Sequence, residues 1–435
     1  MRNGFFLMVG RLVRVAARNR DGPASVEPVN HEIRVLTDAQ EIGRSLDVFL
    51  TAMVGLPRAD PDKQHEFMEP GRTVGAYVPT PSSPDRLVGT ASAFTSWMVV
   101  PGGKKVPQAA VTDVGVLPTH TRRGLASALV RHQLEQCLGR REVIASLRAS
   151  EGTIYERWGF GIASNVAAVE ISVPRAQFRE GVPMGGDVRL IDLRERSAQD
   201  LLARIYTGAN WVGAIDRPSY WWRARAHMRQ LSSDHYYAVV HGIPGHEDGF
   251  AIYMPEDTTA WFRSTDRGIV VGDFVANTSR AHFGLLRYLL SIDLLQRVIL
   301  DPMPVDHSIE KLFTDERAVG VRGVRDETWL RLVDVQAALS ARSYRTGAQV
   351  ILQVKDDLLR QNSGRYLISA DGVARTEQPP DITLDVAQLA CAYLGGTEFW
   401  QLAQAGRIAV HKDAGLTAAD HLFGLRRAPF SGTMF

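Results

Sequence analysis

The sequence is short of the residues that staple or anchor a protein. Its two cysteines, Cys137 and Cys391, lie far apart. They form neither a zinc spacing nor a disulfide framework, so a reducing, cytoplasmic compartment is expected. The histidines, including His120, His132 and His421, fall in no metal-ligand spacing, and no metal is expected. No stretch approaches the ~20 apolar residues of a membrane span. Charge of one sign is also lacking. Lys and Arg number 50 against 48 Asp and Glu, a net charge of +2, which argues against a broad nucleic-acid footprint.

What remains is ordinary globular composition, 45% hydrophobic over 435 residues, too long for one core. The opening "GFFLMVG" is at the short limit of a signal sequence, and "RLVRVAARNR" after it is no cleavage site. Residues 1–30 are expected to form a disordered extension. From His31 onward, strands are expected at "RTVGAYVP", "RLVGTASAFTSWMVVPGG", "KKVPQAAVTDVGVLP" and "REVIASLRAS". A helix is expected from about Thr121 to Leu138, where Leu125, Ala128 and Leu129 share a face. A second region, 174–325, repeats the strand-then-helix order, with Leu285, Leu286, Leu289 and Leu290 inside a helix. A linker near "DERAVGVRGVRDETWL" leads to a third region, 326–435.

The stretch "VGVLPTHTRRGLASALV", Val114 to Val130, sets two arginines and a glycine where a strand gives way to a helix. A helix N-terminus offers free N–H groups and the positive end of its dipole. Gly124 permits close approach, and Arg122 and Arg123 add charge-assisted bonds. A phosphate is the ligand that suits this pattern, although a surface loop opening a core helix fits it too. Gly115 inside the strand suggests a bulge or the close approach of another group. There is no G-K-[ST] and no G-x-G-x-x-G. "IYERWGF" follows on the next strand–helix junction and places Tyr155 four residues before Gly-Phe.

Together these two patterns resemble the GCN5-related N-acetyltransferase (GNAT) superfamily, and with "ASEGTIYERWGFG" and the ending "APFSGTMF" they resemble its Eis family. Thr121 departs from the superfamily pattern, which has Gln or Arg there. The resemblance covers nearly the whole chain after residue 30 and is loose in the middle. It implies an α/β (α+β) fold of two tandem GNAT-like mixed-sheet domains, 31–173 and 174–325, followed by a sterol-carrier-like α+β domain, 326–435. It implies acetyl transfer from acetyl-CoA to amines of aminoglycosides or other polyamines, with lysine side chains as further candidates, by a homohexamer. Val114, Gly115, Val116, Arg122, Arg123, Gly124, Leu125, Ala126 and Ser127 would hold the cofactor. Ser150 and Glu151 are candidates by family position, or simply a helix cap. Tyr155 would protonate the departing thiolate, the carboxylate of Phe435 would serve as base, and a backbone N–H near Val116 would polarise the carbonyl.

Two rival readings carry less. The sterol-carrier-like domain suggests a lipid-binding or CoA-sensing protein. The aromatic, basic "SYWWRARAHMR" suggests RNA, or a half-buried helix with its arginines in solvent.

Overall fold

The computed structural model describes residues 30–54, 61–80, 83–259 and 262–435. The expected N-terminal extension thus lies almost entirely outside the described residues. The first region runs β1 (Glu32–Leu36), α1 (Ala39–Ala52), β2 (Thr73–Thr80), β3 (Ser83–Val99), β4 (Lys105–Val116), α2 (Leu125–Gly139), β5 (Ile144–Leu147) and β6 (Gly161–Ser172). The second runs β7 (Val188–Ile191), α3 (Arg196–Tyr206), α4 (Ser219–Leu231), β8 (Tyr237–His241), β9 (Gly249–Pro255), β10 (Gly268–Ala276), α5 (Ser279–Leu290), β11 (Arg297–Pro304) and β12 (Val319–Leu332).

These strands form one 12-stranded sheet, ordered β1-β2-β3-β4-β5-β12-β6-β11-β10-β9-β8-β7. The expected linker is the chief surprise. "VGVRGVRDETWL" is not a connection but most of β12, wedged antiparallel between β5 and β6. Its glycines and charges read as a linker because the residues up to Arg325 are largely exposed, whereas Trp329 to Leu332 are buried. The expected 325/326 boundary falls inside this strand. The consequence is functional: β12 sets Glu327, Thr328 and Trp329 beside the end of β5, with Trp329 opposite Leu147.

Helix α2 begins at Leu125, four residues later than expected, because Thr121 to Gly124 form a turn with Arg122 and Gly124 at positive φ. Leu285, Leu286 and Leu289 of α5 are fully buried, and Leu290 is half-buried.

The third region contains α6 (Val335–Ala341), β13 (Gln349–Lys355), β14 (Gly364–Ser369), β15 (Gly372–Arg375), β16 (Ile382–Asp385), α7 (Val386–Tyr393), α8 (Phe399–Gln404), β17 (Ala409–Val410) and α9 (Asp413–Phe423). Its five-stranded sheet, β15-β14-β13-β16-β17, shares a core with the first region. Leu352, Val354, Leu389 and Tyr393 pack in one cluster with Met98, Ile144 and Leu330. A buried bidentate pair, Arg331 to Asp356 at 2.8 and 2.7 Å, ties β12 to the region that follows it.

Candidate active site

Strand β4 pairs in parallel with β5 from Gln108–Ile144 to Val111–Leu147. Beyond that point β5 ends and β4 continues to Val116, so the two strands part and leave an edge of β4 without a partner on that side. Three segments converge on this fork: the turn before α2, the segment carrying Tyr155, and the C-terminal tail.

The turn before α2 keeps its donors free. No side chain caps α2, and its first intrahelical bond runs from the Ala128 N–H to the Gly124 carbonyl at 3.0 Å. The N–H groups of Leu125, Ala126 and Ser127 therefore point beyond the helix end. Gly124 has φ +83, and a Cβ built on it would meet nothing within 4 Å, so the space in front is open. Neither Arg122 nor Arg123 has an acidic partner among the described residues. Burial first, then the charges of Arg123 and Arg86, holds the His120 imidazole below its usual pKa, a sign of positive potential at this end. Thr121 turns its hydroxyl onto the Pro118 carbonyl at 3.2 Å. The side chain of Leu125 is buried in the core, and the Ser127 hydroxyl accepts a bond from Trp158 Nε1 at 3.1 Å. These residues offer a ligand chiefly their main chain.

Gly115 has a different explanation from a ligand. A Cβ there would stand 3.1 Å from Ala52 Cβ and 3.2 Å from Phe49 Cα, so the glycine admits α1. The bulge lies just before it, where the register against β3 slips between Thr90–Gly115 and Ser92–Thr112. Val114 and Val116 flank it, half-buried.

Tyr155 precedes a short 3-10 turn, Glu156–Trp158, and is 6% exposed. Its ring lies 5.6 Å from Trp158, 5.9 Å from Phe160 and 6.4 Å from Trp329. Burial alone pushes its hydroxyl up to about 12, so it stays protonated at neutral pH. Glu156, next in sequence, is held by Gln388 at 3.2 Å and by Arg407. The third region thus clamps the turn that carries Tyr155. Ser150 and Glu151 lie in an exposed bend after β5 and cap no helix.

The tail is bolted between the first two regions. Glu327 accepts the N–H groups of Ser431 (2.9 Å) and Gly432 (2.8 Å) and the Ser164 hydroxyl (2.8 Å). Arg217, paired with Asp273 at 2.7 Å, donates to the Gly432 carbonyl at 3.0 Å. Arg148, the first residue after β5, donates Nε to the Thr433 carbonyl at 3.1 Å and pairs with Glu327 at 3.3 Å. Trp221 Nε1 and Arg225 donate to the Met434 carbonyl at 2.7 and 2.6 Å. Every carbonyl from Gly432 to Met434 is thus satisfied by a side chain. The ring of Phe435 then packs edge-on to Phe94 at 5.7 Å, with the Arg148 guanidinium 5.5 Å from it.

This network corrects the reading of "SYWWRARAHMR". The segment is helix α4, with Trp221 and Trp222 buried, but Arg225 and Arg229 are half-buried rather than out in solvent. Burial, with Arg229 and Arg217 nearby, lowers Arg225 to about 10. Four arginines (148, 217, 225 and 229) outnumber Glu327 and Asp273 around the tail. Sequence reasoning missed Arg148, Arg217, Arg225, Asp273 and Glu327. A charged residue at the end of an apolar strand, as in "IASLR", was the available signal.

Among the described residues no group of three or more His, Cys, Asp and Glu is arranged to hold a metal ion. No described helix is long and apolar enough to cross a membrane. Both cysteines are free and buried.

Comparison with known proteins assigns families to all three regions. Residues 32–163 and 213–332 each match a family described as an acetyltransferase (GNAT) domain, and residues 335–432 match a sterol carrier protein domain. An uncharacterised N-acetyltransferase of Streptomyces avermitilis is 32% identical over 397 residues, 88% of this chain and 95% of that one. The N-acetyltransferase Eis of Mycobacterium bovis is 30% identical over 343 residues, covering 74% of this chain and 79% of its own. Among solved structures, Eis1 from Mycobacterium abscessus superposes with a TM-score of 0.86 at 44% identity, covering 93% of this chain and all of the other. A GCN5-related N-acetyltransferase from Anabaena variabilis, at 20% identity and a TM-score of 0.79 over 93% of this chain, shares the fold.

Proposed function

Because the chain belongs to the Eis family of GNAT N-acetyltransferases, we propose that it acetylates amines of aminoglycosides and related polyamines at the β4–β5 fork, with lysine side chains as further acceptors. GNAT enzymes use acetyl-CoA, which supplies an activated acetyl thioester. The residues present fit it. The open space at Gly124, the free N–H groups opening α2, and Arg122 and Arg123, unpaired among the described residues, suit a pyrophosphate. The unpartnered edge of β4 from Val114 to Val116 suits an extended amide-bearing arm, with a backbone N–H near Val116 turned to the thioester oxygen.

An ammonium cannot attack until it loses a proton. The carboxylate of Phe435 takes that proton, and the Tyr155 hydroxyl delivers one to the departing thiolate. The observation that carries this reading is the tail. Its carbonyls are gripped in turn by Arg217, Arg148, Trp221 and Arg225, which brings residue 435 to the Arg148 end of the fork. An arginine-rich surround favours a carboxylate there. Holding amine and thioester together supplies much of the remaining advantage.

The test is release of free CoA thiol from acetyl-CoA with kanamycin, by the intact chain and by one lacking Phe435. Turnover by the first and its loss in the second support the assignment. Equal turnover by both removes Phe435 from the mechanism, and no turnover by either removes the acceptor. A homohexamer, proposed on the same resemblance, is tested by sedimentation. Against the lipid-binding alternative, Leu352, Tyr366, Leu389 and Phe399 are buried together in the core of the third region.

A further inference from the structure

Asp113 stands where β4 loses its parallel partner. The slip in register leaves Ala91 of β3 facing both Asp113 and Val114, a β-bulge that re-aims its side chains. Asp113 has φ +51, a conformation that Asp and Asn tolerate and most residues resist. Neighbours in a regular strand point to opposite faces, yet the Thr112 hydroxyl donates to the Asp113 carboxylate at 3.4 Å. The bulge has therefore swung the carboxylate to the side of Thr112. By alternation that is also the side of Ala110, which packs in one cluster with Phe94, Trp221, Trp222 and Phe435. The carboxylate thus shares the face of β4 that carries Ala110 of the tail's cluster.

Its electrostatic position differs from that of the arginine-paired acids. Glu142, Glu327, Asp273 and Asp356 are each paired with an arginine. Asp113, half-buried, has the Thr112 hydroxyl and no Lys, Arg or His among the described residues. Desolvation raises its pKa to about 6. A strained backbone and an uncompensated carboxylate are both costs to the fold, and such costs gather where a site uses them. The arginines that grip the tail carbonyls add positive charge at the tail itself.

We propose that Asp113 is an acceptor-binding residue, whose carboxylate pairs with a second ammonium group of the acceptor and so selects diamines and polyamines over monoamines. This rests on the reading of the fork as an amine-acetylation site. The reacting amine must be neutral when it attacks. A polyamine carries another that stays charged, and that one needs an anion.

The test compares Asp113→Asn and Asp113→Gly, both compatible with φ +51, with the wild-type chain. Circular dichroism establishes that each variant folds. The ratio of kcat/KM for kanamycin to that for glucosamine, a monoamine, should fall roughly tenfold or more in both variants, while KM for acetyl-CoA holds. An unchanged ratio overturns the proposal. Calorimetric titration of kanamycin into each protein needs no turnover. Binding that depends on Asp113 in a chain that acetylates nothing would end the acetylation reading and leave Asp113 as an ammonium-binding residue only. Equal affinity in wild type and Asp113→Asn, or no binding to the wild type, overturns this one whatever the turnover.

Discussion

Arg148, the first residue beyond the last β4–β5 pair, donates to the carbonyl of Thr433 and in the same position pairs with Glu327 of β12. One guanidinium thus joins the fork, the wedged strand and the chain end. Glu327 is 5% exposed and receives four partners. Replacing it by Ala leaves Arg148 buried and unpaired and strands two tail N–H groups. The expected cost is about 3–5 kcal/mol, seen as a lower midpoint in urea unfolding. In any molecules that fold, carboxypeptidase should release Phe435 faster than from the wild type. A midpoint shift under about 1 kcal/mol would show that the tail does not depend on this carboxylate.

How far the sequence reached follows from which interactions are local. The turn before α2 was legible because a strand, Pro118, two arginines, Gly124 and a helical pattern sit within one short stretch. The turn that follows Tyr155 was legible for the same reason. The wedging of β12 was not, since its neighbours β5 and β6 are more than a hundred residues earlier and its exposed residues up to Arg325 mimic a linker. Nor was the arginine cradle, because Arg148, Arg217 and Arg225 meet only through the tail. Asp113 was hidden by alternation itself. In a regular strand it would have pointed away from Thr112, and only the slipped register reverses that.

Tyr155→Phe removes a proton donor while keeping the ring contacts with Trp158 and Phe160. We expect kcat to fall about 10²–10⁴-fold, with the affinity for acetyl-CoA little changed by calorimetry. The pH profile adds a second check. An acid works while protonated, and burial places this one at about 12. Activity should therefore show no alkaline decline assignable to Tyr155 below about pH 11. Such a decline near pH 9, abolished in Tyr155→Phe, would contradict that environment.

Arg122 and Arg123 have no acidic partner among the described residues, so replacing both by Ala should hardly alter the unfolding midpoint. On the proposed site, the effect falls on the cofactor. KM for acetyl-CoA should rise about tenfold or more while kcat falls much less. Wild-type KM should also rise with salt, more steeply than that of the double variant. Equal KM values at low salt would place the pyrophosphate elsewhere.

Asp113→Asn should make the protein more stable near neutral pH, and the sign follows from its environment. Burial raises the folded-state pKa from 3.8 to about 6, so the fold favours the protonated acid. Below pH 3.8 the carboxyl is neutral in both states and costs nothing. Between 3.8 and 6 the unfolded chain ionises first, and stability is lost as pH rises. Above 6 the full penalty is present, about 1–3 kcal/mol once partial exposure is allowed for. Asn is neutral throughout and accepts φ +51. Scanning calorimetry should therefore find the variant more stable than the wild type at pH 7.5 and the two converging toward pH 4. A variant less stable at pH 7.5 would mean that the carboxylate is compensated in the folded chain, and with that the vacancy for an ammonium would be gone.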